Sequence, residues 1–286
     1  MERTIQKTVR GFETQDGAGV RLVRVLGNAT TEEYDPILML DSFDSTNPAD
    51  YTAGFPMHPH RGIETISYVV SGAMQHRDSL GNADTISDGE VQWMTAGSGI
   101  VHEENVPAAP RLLGVQLWLN LPAKDKMVPP AYYSVRRDDI PEVAVPGGRV
   151  RVLVGRYGEA EGFAAPHLPL DYYDVRLEPG AQLTLDTDPA RAVMLFTLEG
   201  ELLVGGVRVA EKTAARLSAG ESVTLAAGET PVCALVMSSV ALKEPVCWGG
   251  PIVMNTREEL RQAFRELDDG TFLKSGVTYQ EGQARS

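Results

Sequence analysis

Twice along this chain the same order of events recurs: a strand-like run, a glycine turn, a second strand, a loop, and a glycine turn into a third strand. In the first half "YVVSGAMQHRD" leads through a loop to "ISDGEVQWM"; in the second "FTLEGELLVGG" leads to "LSAGESVTL". Such a degenerate duplication points to two small β-barrels of similar topology. Runs such as "VRLVRVLG", "PILMLDSF", "LLGVQLWLNLP", "DYYDVRLEPG" and "PVCALVMSS" carry the same alternation and β-branched enrichment. The 28 glycines and 18 prolines supply the turns that many short strands need. Only "NTREELRQAFRELDDGTF" changes period. It predicts a helix with Asn255 or Thr256 as N-cap, Glu258 and Glu259 in its first turn, and Gly270 past its end. The expected fold is all-β, with one barrel domain over 1–121 and a second over 122–286 that includes a linker and the short C-terminal helix.

Charge narrows the function. The formal net charge is -13 and the sequence pI about 4.9, and phosphate backbones are bound by Lys and Arg displacing counterions. With no basic block, direct nucleic-acid binding is not expected. No apolar run approaches the ~20 residues that span a bilayer, so no membrane association is expected. The opening "MERTIQKTVRGFETQDG" has no apolar core of a signal peptide. Two cysteines, Cys233 and Cys247, are too few for a disulfide framework. The expectation is a cytoplasmic protein with reduced thiols.

Histidine is scarce and clustered. Of five in the chain, His58, His60 and His76 lie in "FPMHPHRGIETISYVVSGAMQHRD", and His102 follows in "GSGIVHEE"; only His167 lies outside this region. In an extended chain, residues i and i+2 leave the same face roughly 7 Å apart, so His58 and His60 can converge on one ion at bonds of ~2.1 Å. Pro59 between them stiffens the backbone and suits an edge strand. His102 and Glu104 repeat the spacing. Three neutral imidazoles and a carboxylate suit Fe(II), Mn(II), Ni(II), Cu(II) or Zn(II); an octahedral ion would keep two positions open. A buried histidine taken singly is more often structural, but two such pairs together favour a metal. Glu64 rivals Glu104, because an unbroken strand would give it the parity of His58 and His60. Spacing alone leaves the two open. His76 fits a hydrogen-bonding or surface role better than a place near the metal or substrate, and His167 a structural or exposed one. Trp93, Met94, Gln116 and Trp118 lie on neighbouring strands as core residues that could also line a slot for a flat aromatic molecule.

The stretch from "HPHRGIETISYVVSG" through "WMTAGSGIVHEE", with "GVQLWLNLP", "KMVPPAYYS" and "EPVCWGGPIVMNTREEL", resembles the pirins, a branch of the cupin superfamily. The resemblance covers nearly the whole chain. It implies a bicupin of two jelly-roll-like barrels with metal, usually Fe(II), in the N-terminal barrel only. The family's ligands fall on His58, His60, His102 and Glu104, which favours Glu104 over Glu64 and leaves Glu64 to support a ligand histidine or pair with Arg61. It also implies quercetin 2,3-dioxygenase activity, with a flavonol-like substrate and O2 as partners and CO as a product. In that chemistry Glu104 or a neighbouring carboxylate is expected to take the substrate's hydroxyl proton, since an enolate is more electron-rich than the neutral alcohol. The alternative it implies is a metal-dependent, protein-binding regulator or redox sensor. Ser98, where relatives often carry a bulkier or basic residue, and Met57, where an acidic residue can occur, depart from the pattern without removing a ligand.

Overall fold

The computed structural model describes residues 1–274. The chain forms two compact units, and both are built of strands, as the alternating pattern implies.

Among the described residues, one unit comprises Gln15–Leu22, Phe43–Ser134 and residues 244–274. Its strands are β1 (Phe55–His60), β2 (Ile63–Ser71), β3 (Ala73–Asp78), β4 (Ala83–Ser87), β5 (Glu90–Thr95), β6 (Ile100–Asn105), β7 (Leu112–Asn120) and β8 (Ala131–Val135). One sheet runs β1-β6-β3-β4; a second contains the order β8-β5-β2-β7. β1 is therefore an edge strand, where Pro59 costs no ladder hydrogen bond on the open side. Phe43, Tyr51, Phe55, Val69, Met74, Ile86, Val106 and Leu112 form a buried cluster, the apolar burial that drives the sheets together.

The other unit comprises Met1–Thr14, Val23–Ser42 and Val135–Lys243. A seven-stranded sheet there includes Ala192–Glu199, Val232–Ser239 and Leu170–Leu177, and a four-stranded one includes Gln182–Asp186 and Ser222–Ala227. Val152, Val175, Leu195, Leu225 and Val236 are among its fully buried core residues. The N-terminal strand Ile5–Arg10 pairs antiparallel with Thr213–Leu217.

Compactness thus divides the chain differently from the expected boundary at 121/122. Strand pairing carries the N-terminus into the unit of the later strands. The helix α1 (Arg257–Asp268) belongs to the unit of β1–β8, where its buried Ala263 packs with Ile252, Met254 and Phe272. Its start follows the sequence: Thr256 is the N-cap, accepting from the Glu259 backbone N–H in a reciprocal capping box, and Gly270 at φ +68° follows the C-terminus.

Candidate metal centre

β6 lies between β1 and β3, and register brings the chemistry together. His102 faces His58 on one side and Asp78 on the other, while Glu104 faces His76. Side chains two apart on a strand share a face, so all five point the same way. His58, His60 and His102 have ring centroids 4.4 to 5.1 Å apart. Their candidate ligand atoms lie within 4.8 Å of one another. Glu104 joins through His102 in a second group, with His76, at the same spacing. His60, His102, His76 and Glu104 are buried, and His58 is half-buried.

The hydrogen bonds fix which nitrogens are free. His58 Nδ1 lies 2.8 Å from the Pro56 carbonyl and His60 Nδ1 2.9 Å from that of Pro251. A carbonyl can only accept, so both Nδ1 atoms carry hydrogen, and in the neutral rings both Nε2 atoms then present lone pairs. Those two Nε2 atoms stand 3.0 Å apart. Two facing lone pairs repel, and a cation shared between them removes the repulsion. His102 Nε2 is buried without a hydrogen-bond partner, which is costly for a polar atom. Burial first, then the neighbouring His58, pulls His60 down to about 3. Burial and the other imidazoles hold His102 well below its ordinary value. Neutral imidazoles are the ligand form. The donors fit a divalent transition ion.

The opposite sheet braces the carboxylate. Ser67 on β2 pairs with Gln92 on β5 and Gln116 on β7. Gln92 Nε2 donates to Glu104 Oε1, and Gln116 Nε2 to Oε2 at 2.9 Å. Sequence reasoning named Gln116 only as a slot residue and missed Gln92; its parity on "EVQWM" was visible, but not the strand across from it. Trp118 packs edge-on against His60 at 5.0 Å and lies 5.5 Å from Trp248, and its buried Nε1 has no hydrogen-bond partner.

Glu64 lies in neither cluster. The chain breaks at Arg61–Gly62, where Gly62 has φ +78° and a Cβ would meet the Val253 carbonyl at 2.0 Å. Parity inverts across that turn. Ser67 faces Glu104, so Glu64 faces the other side of β2, where Trp93 Nε1 donates to its Oε1 at 2.9 Å and Thr95 Oγ1 at 2.7 Å. Arg61 pairs with Glu266 rather than Glu64. His167 is half-buried in the other unit, outside both clusters. Among the described residues no helix is long and apolar enough to cross a membrane.

Comparison with known proteins agrees with this architecture. The family model "Pirin" matches residues 19–119, and that of the pirin C-terminal cupin domain matches 172–273. A Pseudomonas aeruginosa protein named "Putative quercetin 2,3-dioxygenase" is 43% identical over 280 residues, covering 94% of this chain and 97% of its own. The crystal structure of a quercetin 2,3-dioxygenase from Acinetobacter baumannii superposes with TM-score 0.87 at 32% identity, over 95% of this chain and 99% of that one. The Escherichia coli pirin YhhW, solved in complex with nickel(II), shares the fold at TM-score 0.65 and 20% identity, over 82% of this chain and 98% of its own. With two cupin domains matched in order and close relatives spanning its length, this chain belongs to the pirin family.

Proposed function

We propose that this protein is a metal-dependent dioxygenase that cleaves quercetin or a related flavonol with O2 and releases CO, using one ion, Fe(II), held by His58, His60, His102 and Glu104 in the N-terminal domain. The observation that carries the reading is the convergence of three buried or half-buried imidazoles, two with Nε2 lone pairs 3.0 Å apart, in a pirin barrel. Mn(II), Ni(II), Cu(II) and Zn(II) suit the same donors, and the nickel in the Escherichia coli relative supports including it among the ions tested.

When bound, the ion would supply positive charge and open positions toward the substrate's adjacent oxygens and dioxygen. The protein's own groups do the rest. Glu104 accepts the flavonol hydroxyl proton, and the amide donors of Gln92 and Gln116 hold its oxygens in place for that transfer. Trp118, against His60, offers an apolar wall to an aromatic ring and an unused N–H to one of its oxygens. Both atoms of dioxygen enter the products, one ring carbon leaving as carbon monoxide. The two free cysteines suit a cytoplasmic protein.

The test is quercetin-dependent oxygen uptake and carbon monoxide release by protein loaded anaerobically with Fe(II), Mn(II), Ni(II) or Cu(II) in turn. Matched consumption with at least one ion is expected. No turnover with any sinks the enzymatic reading and leaves the regulator.

A further inference from the structure

The three histidines of the cluster are not held alike. His58 and His60 each give their Nδ1–H to a main-chain carbonyl. The nitrogen facing His102 Nδ1 is instead another imidazole, His76 Nδ1, at 3.4 Å. Behind it, His76 Nε2 lies 2.9 Å from Asp78 Oδ2. We infer that Asp78 and His76 form a positioning relay that sets the tautomer and the ring orientation of His102, and so aims His102 Nε2 at the metal. This rests on the metal assignment proposed above.

The donors and acceptors fall into one order. The Asp78 carboxylate is anchored by four donors: the Leu80 backbone N–H at 2.9 Å, the Asn82 backbone N–H at 3.1 Å, Asn82 Nδ2 at 2.9 Å and His76 Nε2 at 2.9 Å. An ionised carboxylate only accepts, so His76 Nε2 carries hydrogen. In the neutral ring Nδ1 is then an acceptor, and the nitrogen it faces must donate. His102 therefore carries its hydrogen on Nδ1, and its lone pair lies on Nε2, the buried atom with no hydrogen-bond partner. Strand register builds the relay: Asp78 lies directly across from His102, and His76 across from Glu104. The Tyr132 ring stacks on His76 at 4.2 Å and 16°, which fixes the plane of the intervening imidazole. "HRD" is thus a third i,i+2 pair beside "HPH" and "HEE", acting through His102 rather than on the ion. Groups of this kind orient metal ligands and typically change affinity by about 10–100-fold.

The experiment compares Co(II) affinity by competition titration, apoprotein melting temperature and the pulsed-EPR count of imidazoles on Cu(II), in full-length protein. His76→Phe keeps a flat ring against Tyr132 but loses both nitrogens. Asp78→Asn turns an amide N–H toward His76 and forces the opposite tautomer along the chain. Both are expected to weaken Co(II) binding by about 10–100-fold. His76→Asn, which restores an acceptor near the Nδ1 position, should recover a large part of the loss while melting no higher than His76→Phe without metal. Undiminished Co(II) binding in His76→Phe and Asp78→Asn overturns the relay. So does affinity that merely tracks apoprotein melting with no recovery in His76→Asn. A Cu(II) imidazole count that falls by one in His76→Asn also overturns it, by making His76 a ligand. His58→Ala separates this from the metal assignment. If the wild type binds and His58→Ala does not, a silent His76→Phe defeats the relay alone; if the wild type binds no ion, the assignment itself fails.

Discussion

Arg61, the residue after His60, holds Glu266 on α1 at 2.8 Å with a guanidinium that is 2% exposed. Its Nε donates to the Ser98 carbonyl and Nη2 to that of Phe272, each at 2.8 Å, and its charge sits 4.2 Å above the Phe272 ring. One cation therefore ties the segment bearing His58 and His60 to the C-terminal helix.

Glu266 should make stability depend on acid. Burial raises its carboxyl, but Lys274, Gln262 and Arg61 outweigh that and hold it at about 2. The unfolded carboxyl titrates near about 4.3, so the unfolded state binds more protons in between. The contribution is complete above the unfolded value and is lost as pH falls toward 2. Glu266→Gln should cost about 1–3 kcal/mol at pH 7, because Arg61 loses its counter-charge while keeping its two carbonyl acceptors. In denaturant titrations that gap should narrow below about pH 4.5. A gap independent of pH would show that the charge on Glu266 contributes nothing.

Metal should stabilise, and ligand deletion should not simply destabilise. An ion at a hundred times its Kd adds about 2.7 kcal/mol to the folded state, so chelation should lower the melting temperature of the wild type. His58→Ala removes one of two lone pairs held 3.0 Å apart. Metal-free His58→Ala should melt at or above metal-free wild type, while gaining nothing from added ion. A large loss of stability in the metal-free variant would mean that the ring serves packing.

Duplex DNA should not bind tightly. At a net charge of -13, a fluorescence titration near physiological salt should give nothing stronger than about micromolar. Tight binding with a steep salt slope would require a basic face formed on folding.

What could be read from the sequence was whatever depends on neighbours along the chain. The i,i+2 parity of His58 with His60 and of His102 with Glu104, the Thr256 cap and the turn glycines are local, and the fold keeps them. What could not be read depends on a strand far away. Gln92 and Gln116 meet Glu104 only because both flank Ser67 across the sheet. Ile5–Arg10 pairs with residues more than 200 positions later, which no periodicity encodes. Glu64 misleads for a different reason: its parity with His60 is real in the sequence and is cancelled by one turn at Arg61–Gly62.

That turn separates the two carboxylates experimentally. Glu64 Oε1 accepts from Trp93 and Thr95 on the far face of β2. A glutamine there keeps a carbonyl oxygen for both donors, so Glu64→Gln should retain metal and most activity. Glu104 accepts an amide N–H on each oxygen. A glutamine there confronts Gln92 or Gln116 donor to donor and loses the charge that would draw a proton. With metal content matched, Glu104→Gln should slow quercetin turnover by about 100-fold or more, the usual weight of a positioned base, and Glu64→Gln by far less. His60→Ala and His102→Ala should lose both metal and turnover. If Glu64→Gln were the inactive variant and Glu104→Gln the active one, the carboxylate of the centre would be Glu64, and β2 would have to present the opposite face.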